Sequence, residues 1–342
     1  MGGPPAQPDW VTRASSSLPS ARSGRLRFSV GPGGSRSRLS PRCDVGAERI
    51  PGTKSTVRRA GVTRFGSLPG MLNMEANTDP SELQPLGEYD FEKNFNHRAA
   101  RKWMEENWQK SLIISVIYLI LIFGIQHFMK DRRPFKLRGP LILWSFSLSL
   151  FSLIAACRIG KQMAFLLRTK GFKHTVCSQS FYVHPVSKLW IYLFGLSKLV
   201  EMGDTLFIVL RKKKLIFLHW YHHISTMILS WYGYKMMAAG AGWTTTLNLS
   251  IHFVMYLYYT MAAMGIRVPH SITMLITTSQ IVQIIGYVIM NIFIFFWMDD
   301  KLCQYTWPLF LLSSGLYTSL LVLFSNFFVK TYLSNTQKSK RN

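Results

Sequence analysis

The feature that most constrains this chain is a succession of apolar runs, several longer than the roughly 18 residues that a helix needs to cross a hydrocarbon layer. They read as spans at 111–129, 140–167, 186–210, 215–235, 243–264, 271–297 and 307–330. Backbone inside lipid must satisfy its own polar groups, and a helix does so within the segment. The expected fold class is an all-α membrane protein, a bundle of seven transmembrane helices over 111–330. Composition agrees: 48% of residues are apolar and only 16% charged, too few charges for an ordinary soluble domain.

A net charge of +24 need not mean nucleic acid, because Lys and Arg collect in the cytoplasmic loops of membrane proteins. There is no zinc-finger spacing and no aromatic–basic signature, so nucleic acid is discounted. The basic loops alternate. The first holds Lys130, Arg132, Arg133, Lys136 and Arg138; the third, Arg211 to Lys214; the fifth, Arg267. The loops near 168–185, 236–242 and 298–306 lie between them. Odd-numbered loops are therefore expected in the cytosol, with the N-terminus lumenal and the C-terminus cytosolic. Of the four cysteines, Cys177 and Cys303 then both face the lumen, where disulfides persist, and they are expected to pair. Cys157 sits in an apolar run as packing.

The flanks read differently. Residues 1–70 are rich in Arg, Ser, Gly and Pro and cannot bury a core. They look superficially like a transit peptide, but are better read as a disordered extension upstream of Met71 or Met74. Residues 80–110 mix charges with Phe91, Phe95, Trp103 and Trp108 and are expected at the membrane interface. The tail, 331–342, is expected in the cytosol. Its Lys338 and Lys340 resemble the dilysine retrieval signals of endoplasmic-reticulum membrane proteins.

The chemistry is concentrated inside the spans. Lys198, Glu201 and Asp204 recur at three-residue intervals, and His219, His222 and His223 share one helical face. Ionisable groups at this depth are expensive and usually face a protein-lined cavity. The fifth span adds Asn248, His252, Tyr256, Tyr258 and Tyr259; the sixth adds Thr277, Gln280 and Gln283. Taken singly, Tyr258 reads as packing and the glutamines as glue between helices.

Two chemistries fit such a set. Histidines one turn apart can hold a metal, as in membrane desaturases and hydroxylases. Only four of the nine histidines lie near the constellation, which argues against two irons and leaves a mononuclear site open. The other is acyl transfer, in which a neutral imidazole in a dry pocket attacks a thioester. A second histidine, amide or hydroxyl would then steady an enolate oxygen. A seven-span transporter or receptor is the non-enzymatic alternative. It would be expected to show broken helices at matching positions in two halves, and these are not evident.

Four patterns in order resemble the fatty acid elongases, the condensing enzymes of very-long-chain fatty acid synthesis. They are KxxExxDT (Lys198, Glu201, Asp204, Thr205), HxxHH (His219, His222, His223), HxxMYxYY (His252, Met255, Tyr256, Tyr258, Tyr259) and TxxQxxQ (Thr277, Gln280, Gln283). The likeness covers about residues 86–342. HWYHH and FKLRGPLILWSF are similar to the branch acting on saturated and monounsaturated chains. The resemblance implies a seven-helix endoplasmic-reticulum enzyme enclosing an acyl-chain tunnel. It would condense long-chain acyl-CoA with malonyl-CoA to 3-oxoacyl-CoA, with no cofactor and no metal. It implies His222 as acyl acceptor and His252 as helper in decarboxylation. Glu201, Asp204, His219 and His223 would tune the site. Lys198, Arg211, Lys212, Lys213, Asn248, Tyr256, Tyr259, Gln280 and Gln283 would meet substrate or CoA. Implied partners are the bilayer, a second copy of the chain, and the 3-oxoacyl-CoA reductase, 3-hydroxyacyl-CoA dehydratase and enoyl-CoA reductase of the cycle.

Overall fold

A computed structural model describes residues 80–83, 86–300, 302–303 and 305–333. The leader 1–70, and Lys338 and Lys340 of the tail, lie outside the described residues. Among the described residues all regular structure is helical. Two short helices, α1 (Asp90–Lys93) and α2 (His97–Asn107), precede α3 (Lys110–Phe128) and α4 (Arg138–Lys170). A short α5 (Phe172–Cys177) leads to α6 (Ser187–Glu201) and α7 (Asp204–Leu210). Then come α8 (Phe217–Lys235), α9 (Ala241–Met264), α10 (His270–Trp297) and α11 (Trp307–Phe328). Four of these are long and apolar enough to cross a membrane: α3, α4, α10, and α11 continued to Leu333. The chain is an integral membrane protein. Helices α8 and α9, of 19 and 24 residues, carry the histidines and tyrosines.

The expected run 186–210 is not one straight helix. It breaks at Met202 and Gly203, where backbone bonds shorten to three-residue steps, Gly203 N to Val200 O (2.9 Å) and Leu206 N to Gly203 O (3.0 Å). A Cβ on Gly203 would stand 2.6 Å from Cζ2 of Trp144. Only glycine lets that indole lie against the backbone.

Helix α4 is built inside out. Its buried stripe carries Ser145, Ser149, Ser152 and Ala155, while Leu143, Phe146 and Leu150 face outward. Lipid gives no hydrophobic reason to bury leucine, so small polar residues make the helix contact instead. The contact is with α9, and Ser149 Oγ donates to the Phe253 carbonyl at 3.0 Å.

The two ends of the bundle differ. At the basic end, Arg138 donates from Nε to the Ala263 carbonyl (2.8 Å) and from Nη2 to that of Met264, capping α9. Phe135 N donates to Leu210 O at 3.1 Å. At the opposite end Cys177 and Cys303 form a disulfide within a core of Val176, Ala239, Tyr287, Met290 and Ile294. The segment before α2 is tied down near there. Glu92, wholly buried, accepts from Arg158 Nε (2.8 Å), Trp190 Nε1 (2.7 Å) and Tyr89 N (2.9 Å). Glu82 pairs with His174 Nε2 at 2.9 Å and accepts from Ser178 Oγ at 2.7 Å.

Candidate active site

The break after Glu201 turns Asp204 toward α4 and α9. Asp204 Oδ1 accepts from Trp144 Nε1 and Oδ2 from the Tyr256 hydroxyl, both at 2.6 Å. Both lone-pair faces of the carboxylate are thus held by neutral donors from two other helices. One turn earlier, Lys198 Nζ donates to Glu201 Oε1 (2.9 Å), Glu201 Oε2 (3.0 Å) and Asn248 Oδ1 (2.8 Å). Ser197 Oγ adds a bond to Glu201 Oε1 at 3.0 Å. Lys198 and Glu201 are buried, and a buried pair persists only when such further bonds complete it. Glu201 Oε2 lies 3.7 Å from His252 Nδ1. That nitrogen is buried and has no hydrogen-bond partner among the described residues.

The three histidines of α8 stand in a row. The rings of His219 and His223 are 4.6 Å apart, and those of His222 and His223 are 5.5 Å apart. His219 Nε2 is 3.0 Å from Thr205 Oγ1, which is 2.6 Å from the Tyr118 hydroxyl of α3. His222 packs edge-on to Phe324 at 6.1 Å. No hydrogen bond to its imidazole is made among the described residues. His219 is therefore oriented by a relay, whereas His222 keeps a nitrogen lone pair for a ligand.

These groups open into one cavity of about 840 Å³, within the usual range for small-molecule sites. It is lined by His219, His222, His223, His252, Lys198, Asp204, Asn248, Tyr256, Tyr259, Gln280 and Gln283, side chains drawn from five helices, α6 to α10. At the basic end its wall includes Phe135, Lys136, Arg211 and Lys213; at the disulfide end, Tyr182, Ala239 and Tyr305. Burial, and then the charge of Arg211, hold the Lys213 ammonium below its ordinary pKa; burial does the same to Arg211. Two crowded cations at the rim would both be relieved by an arriving anion.

Two of the residues expected at the site are not on its wall. Glu201 lies behind Lys198. Lys212 turns away, with a left-handed φ of 54°, and its Nζ donates to the carbonyls of Lys130 (2.8 Å) and Arg132 (3.0 Å). It pins two basic loops together. Gln283 donates to Tyr287, whose hydroxyl donates to Thr244 O at 2.8 Å, so this glutamine lines the cavity and also joins α10 to α9. Gln280 Nε2 reaches Met255 Sδ at 3.3 Å. Among the described residues no three His, Cys, Asp or Glu side chains converge as metal ligands would. Cys177 and Cys303 lie at the far end, away from the histidines.

Sequence reasoning missed Trp144, Tyr118 and Ser197. Ser197 carried a signal, one turn before Glu201 on the same face. Tyr118 carried none, being one aromatic among many in an apolar helix, and Trp144 lay within FKLRGPLILWSF with nothing there to mark it as a partner of Asp204. Arg158 was visible as a charge within a span, but its partner Glu92 was not.

Residues 103–340 match the ELO: GNS1/SUR4 family. Very long chain fatty acid elongase 6 of Homo sapiens is 49% identical over 256 residues, covering 75% of this chain and 97% of that protein. Very long chain fatty acid elongase 3 of Homo sapiens is 41% identical over 252 residues, covering 74% and 92%. The Drosophila melanogaster elongase 6 is 41% identical over 280 residues, covering 79% and 86%. Over the length that holds every residue of the cavity's histidine and carboxylate cluster, the chain belongs to the ELO (GNS1/SUR4) family, whose members include these elongases.

Proposed function

We propose that this chain catalyses the condensing step of fatty acid elongation, joining a long-chain acyl-CoA to malonyl-CoA. The observation that carries the reading is the union, in one cavity, of a cationic rim, four histidines and an apolar interior. The rim receives the phosphates of coenzyme A. The interior takes the acyl tail, so the cavity serves as its tunnel. The histidines stand where the thioester comes to rest.

The steps balance without a cofactor. The free imidazole nitrogen of His222 attacks the thioester carbonyl. The C–S bond breaks, and the CoA thiolate leaves with the proton shed by the imidazole, giving an acyl-imidazole. Malonyl-CoA then loses carbon dioxide. The electron pair of the broken C–C bond forms an enolate, which attacks the acyl carbon and displaces the imidazole nitrogen, and the departing imidazolate takes up one proton from water to restore neutral His222. The product is 3-oxoacyl-CoA, two carbons longer. His252, its Nδ1 without a hydrogen-bond partner among the described residues, meets the malonyl carboxylate or the enolate oxygen. Lys198 and Asn248 fix Glu201 beside it. Asp204 holds Tyr256 against the cavity, and His219 and His223 set the orientation of His222.

The relatives' names as very long chain fatty acid elongases support this reading, and elongases 6 and 3 fit the branch handling saturated and monounsaturated chains. The seven hydrophobic runs are read as seven spans in the endoplasmic reticulum, with the basic loops and C-terminus cytosolic and the N-terminus lumenal. Self-association is part of the proposal, and so is passage of product to the reductases and dehydratase of the cycle. Radiolabel from malonyl-CoA should appear in lengthened acyl chains made by the purified protein. His222→Ala should lower that rate by about 10³-fold. Wild-type activity in the variant would remove the nucleophile assignment.

A further inference from the structure

At the disulfide end the cavity's wall includes, beside α10, two short segments. One is α5 with the turn that follows it, residues 172–182; the other is the loop 236–240 between α8 and α9. Three hydrogen bonds join them. Gly240 N donates to Val176 O (2.6 Å), Gln179 Nε2 to Met237 O (3.0 Å) and the Tyr182 hydroxyl to Ala238 O (3.3 Å). Met237 and Gly240 are both left-handed, at φ 48° and 79°. For methionine that conformation persists only where neighbouring contacts impose it. Tyr182, Ala238, Ala239 and Gly240 from these segments line the cavity.

One covalent bond ties this plug to the rest of the bundle. Cys177, the last residue of α5, is bonded across 126 residues to Cys303, two positions before Tyr305, which also lines the cavity. Both cysteines are fully buried and pack in one cluster with Ala239, Met290 and Ile294, each of them on the cavity wall. Across this junction also stand the exposed pair Lys173–Asp300, at 2.7 Å, of a kind that contributes little, and Phe172, packed against Phe293 and Trp297 with ring centroids 5.7 and 6.3 Å apart. The histidines are remote: His222 to Lys235 alone is about 20 Å along α8.

We infer that the Cys177–Cys303 disulfide is a specificity determinant, fixing the depth of the cavity and so the longest acyl chain accepted. The inference rests on the proposed condensation and adds the element that limits its substrate. With the bond cut, the plug's links to the segment before Tyr305 are non-covalent, among them the Lys173–Asp300 pair and the packing of Phe172 on Trp297. The plug can then yield to a longer tail while the reacting groups stay in place.

The test is elongation by the full-length protein in lipid nanodiscs, over saturated acyl-CoAs of increasing length. The oxidised wild type, the wild type treated with a membrane-permeant phosphine, and Cys177→Ala/Cys303→Ala are compared, and free thiols are counted by mass spectrometry. Opening room for two further methylenes should raise the rate on the first rejected substrate about tenfold relative to the best one. The rate on the best substrate should stay near that of the oxidised protein. An unchanged length cut-off with both thiols free would overturn the inference. So would an equal loss at every length, which marks a purely structural bond. If the double variant fails to fold, reduction of the folded wild type decides. Failure of the oxidised wild type to elongate any acyl-CoA would instead sink the condensation reading, and this inference with it.

Discussion

Asp204 shows how little freedom the site leaves its side chains. Its two oxygens are taken by Trp144 and Tyr256, and the Trp144 ring reaches it only because position 203 has no Cβ. Gly203→Ala should therefore act at a distance. The methyl group would push the indole away, release Asp204 and let Tyr256 drift, with a rate loss of about 10²-fold for a displacement near 1 Å. Initial-rate measurements should show the loss in kcat, with KM for acyl-CoA little changed; a variant at wild-type kcat would show the indole contact to be idle. At this scale the sequence was readable where spacing is local. Lys198 and Glu201 lie one turn apart on α6, Asp204 opens α7 just beyond it, and the histidines share one face of α8. The pairing of Trp144 with Asp204 was not readable, since 60 residues separate the two. That Lys212 stands off the cavity wall was hidden for a related reason. Charge type announces a basic loop, but backbone φ decides which of its lysines turns toward the cavity.

Among the elements, the segment before α2 depends most visibly on charge. Burial alone would raise the pKa of Glu92, but hydrogen bonds from Arg158 and Trp190 outweigh it and hold the carboxyl below its ordinary value of 4.5. Glu82 behaves likewise, with His174 and Ser178 overcoming the effect of burial. A carboxylate whose folded pKa is depressed contributes stability that is complete above its unfolded value and is lost as pH falls through the folded one. The segment should thus stay docked at neutral pH and loosen only in acid below the ordinary carboxylate range. Hydrogen exchange of residues 86–95 should rise there. Glu92→Gln, which leaves Arg158 buried without its counter-charge, should cost about 3 kcal/mol and raise the exchange already at pH 7. Equal protection in variant and wild type would contradict this. The hydrophobic runs were legible because the lipid-facing side of each helix must be apolar. The break inside 186–210 was not, because it answers to a tryptophan from another helix. The polar stripe of α4 could be read only weakly, since serines inside an apolar run look like dilution until the partner helix is in view.

For the molecule as a whole, the two ends of the bundle carry opposite chemistries. Lys and Arg gather in the loops beside Arg138, Arg211 and Lys213, and a disulfide closes the other end. The proposed topology puts the first in the cytosol. A cysteine introduced as Arg267→Cys should react with a membrane-impermeant maleimide in sealed, cytosol-side-out microsomes, and labelling that requires detergent would invert the orientation. Both CoA esters would then enter from the cytosolic side, and the acyl tail would run toward the disulfide. The central claim is that an imidazole inside this cavity carries the acyl group between two thioesters. Intact-protein mass spectrometry after incubation with acyl-CoA alone tests it most directly. The protein should gain the mass of one acyl group, mapped to His222 and discharged by malonyl-CoA, with one CoA thiol released per chain. A protein that elongates with malonyl-CoA present, yet neither gains that mass nor releases CoA without it, would contradict the account.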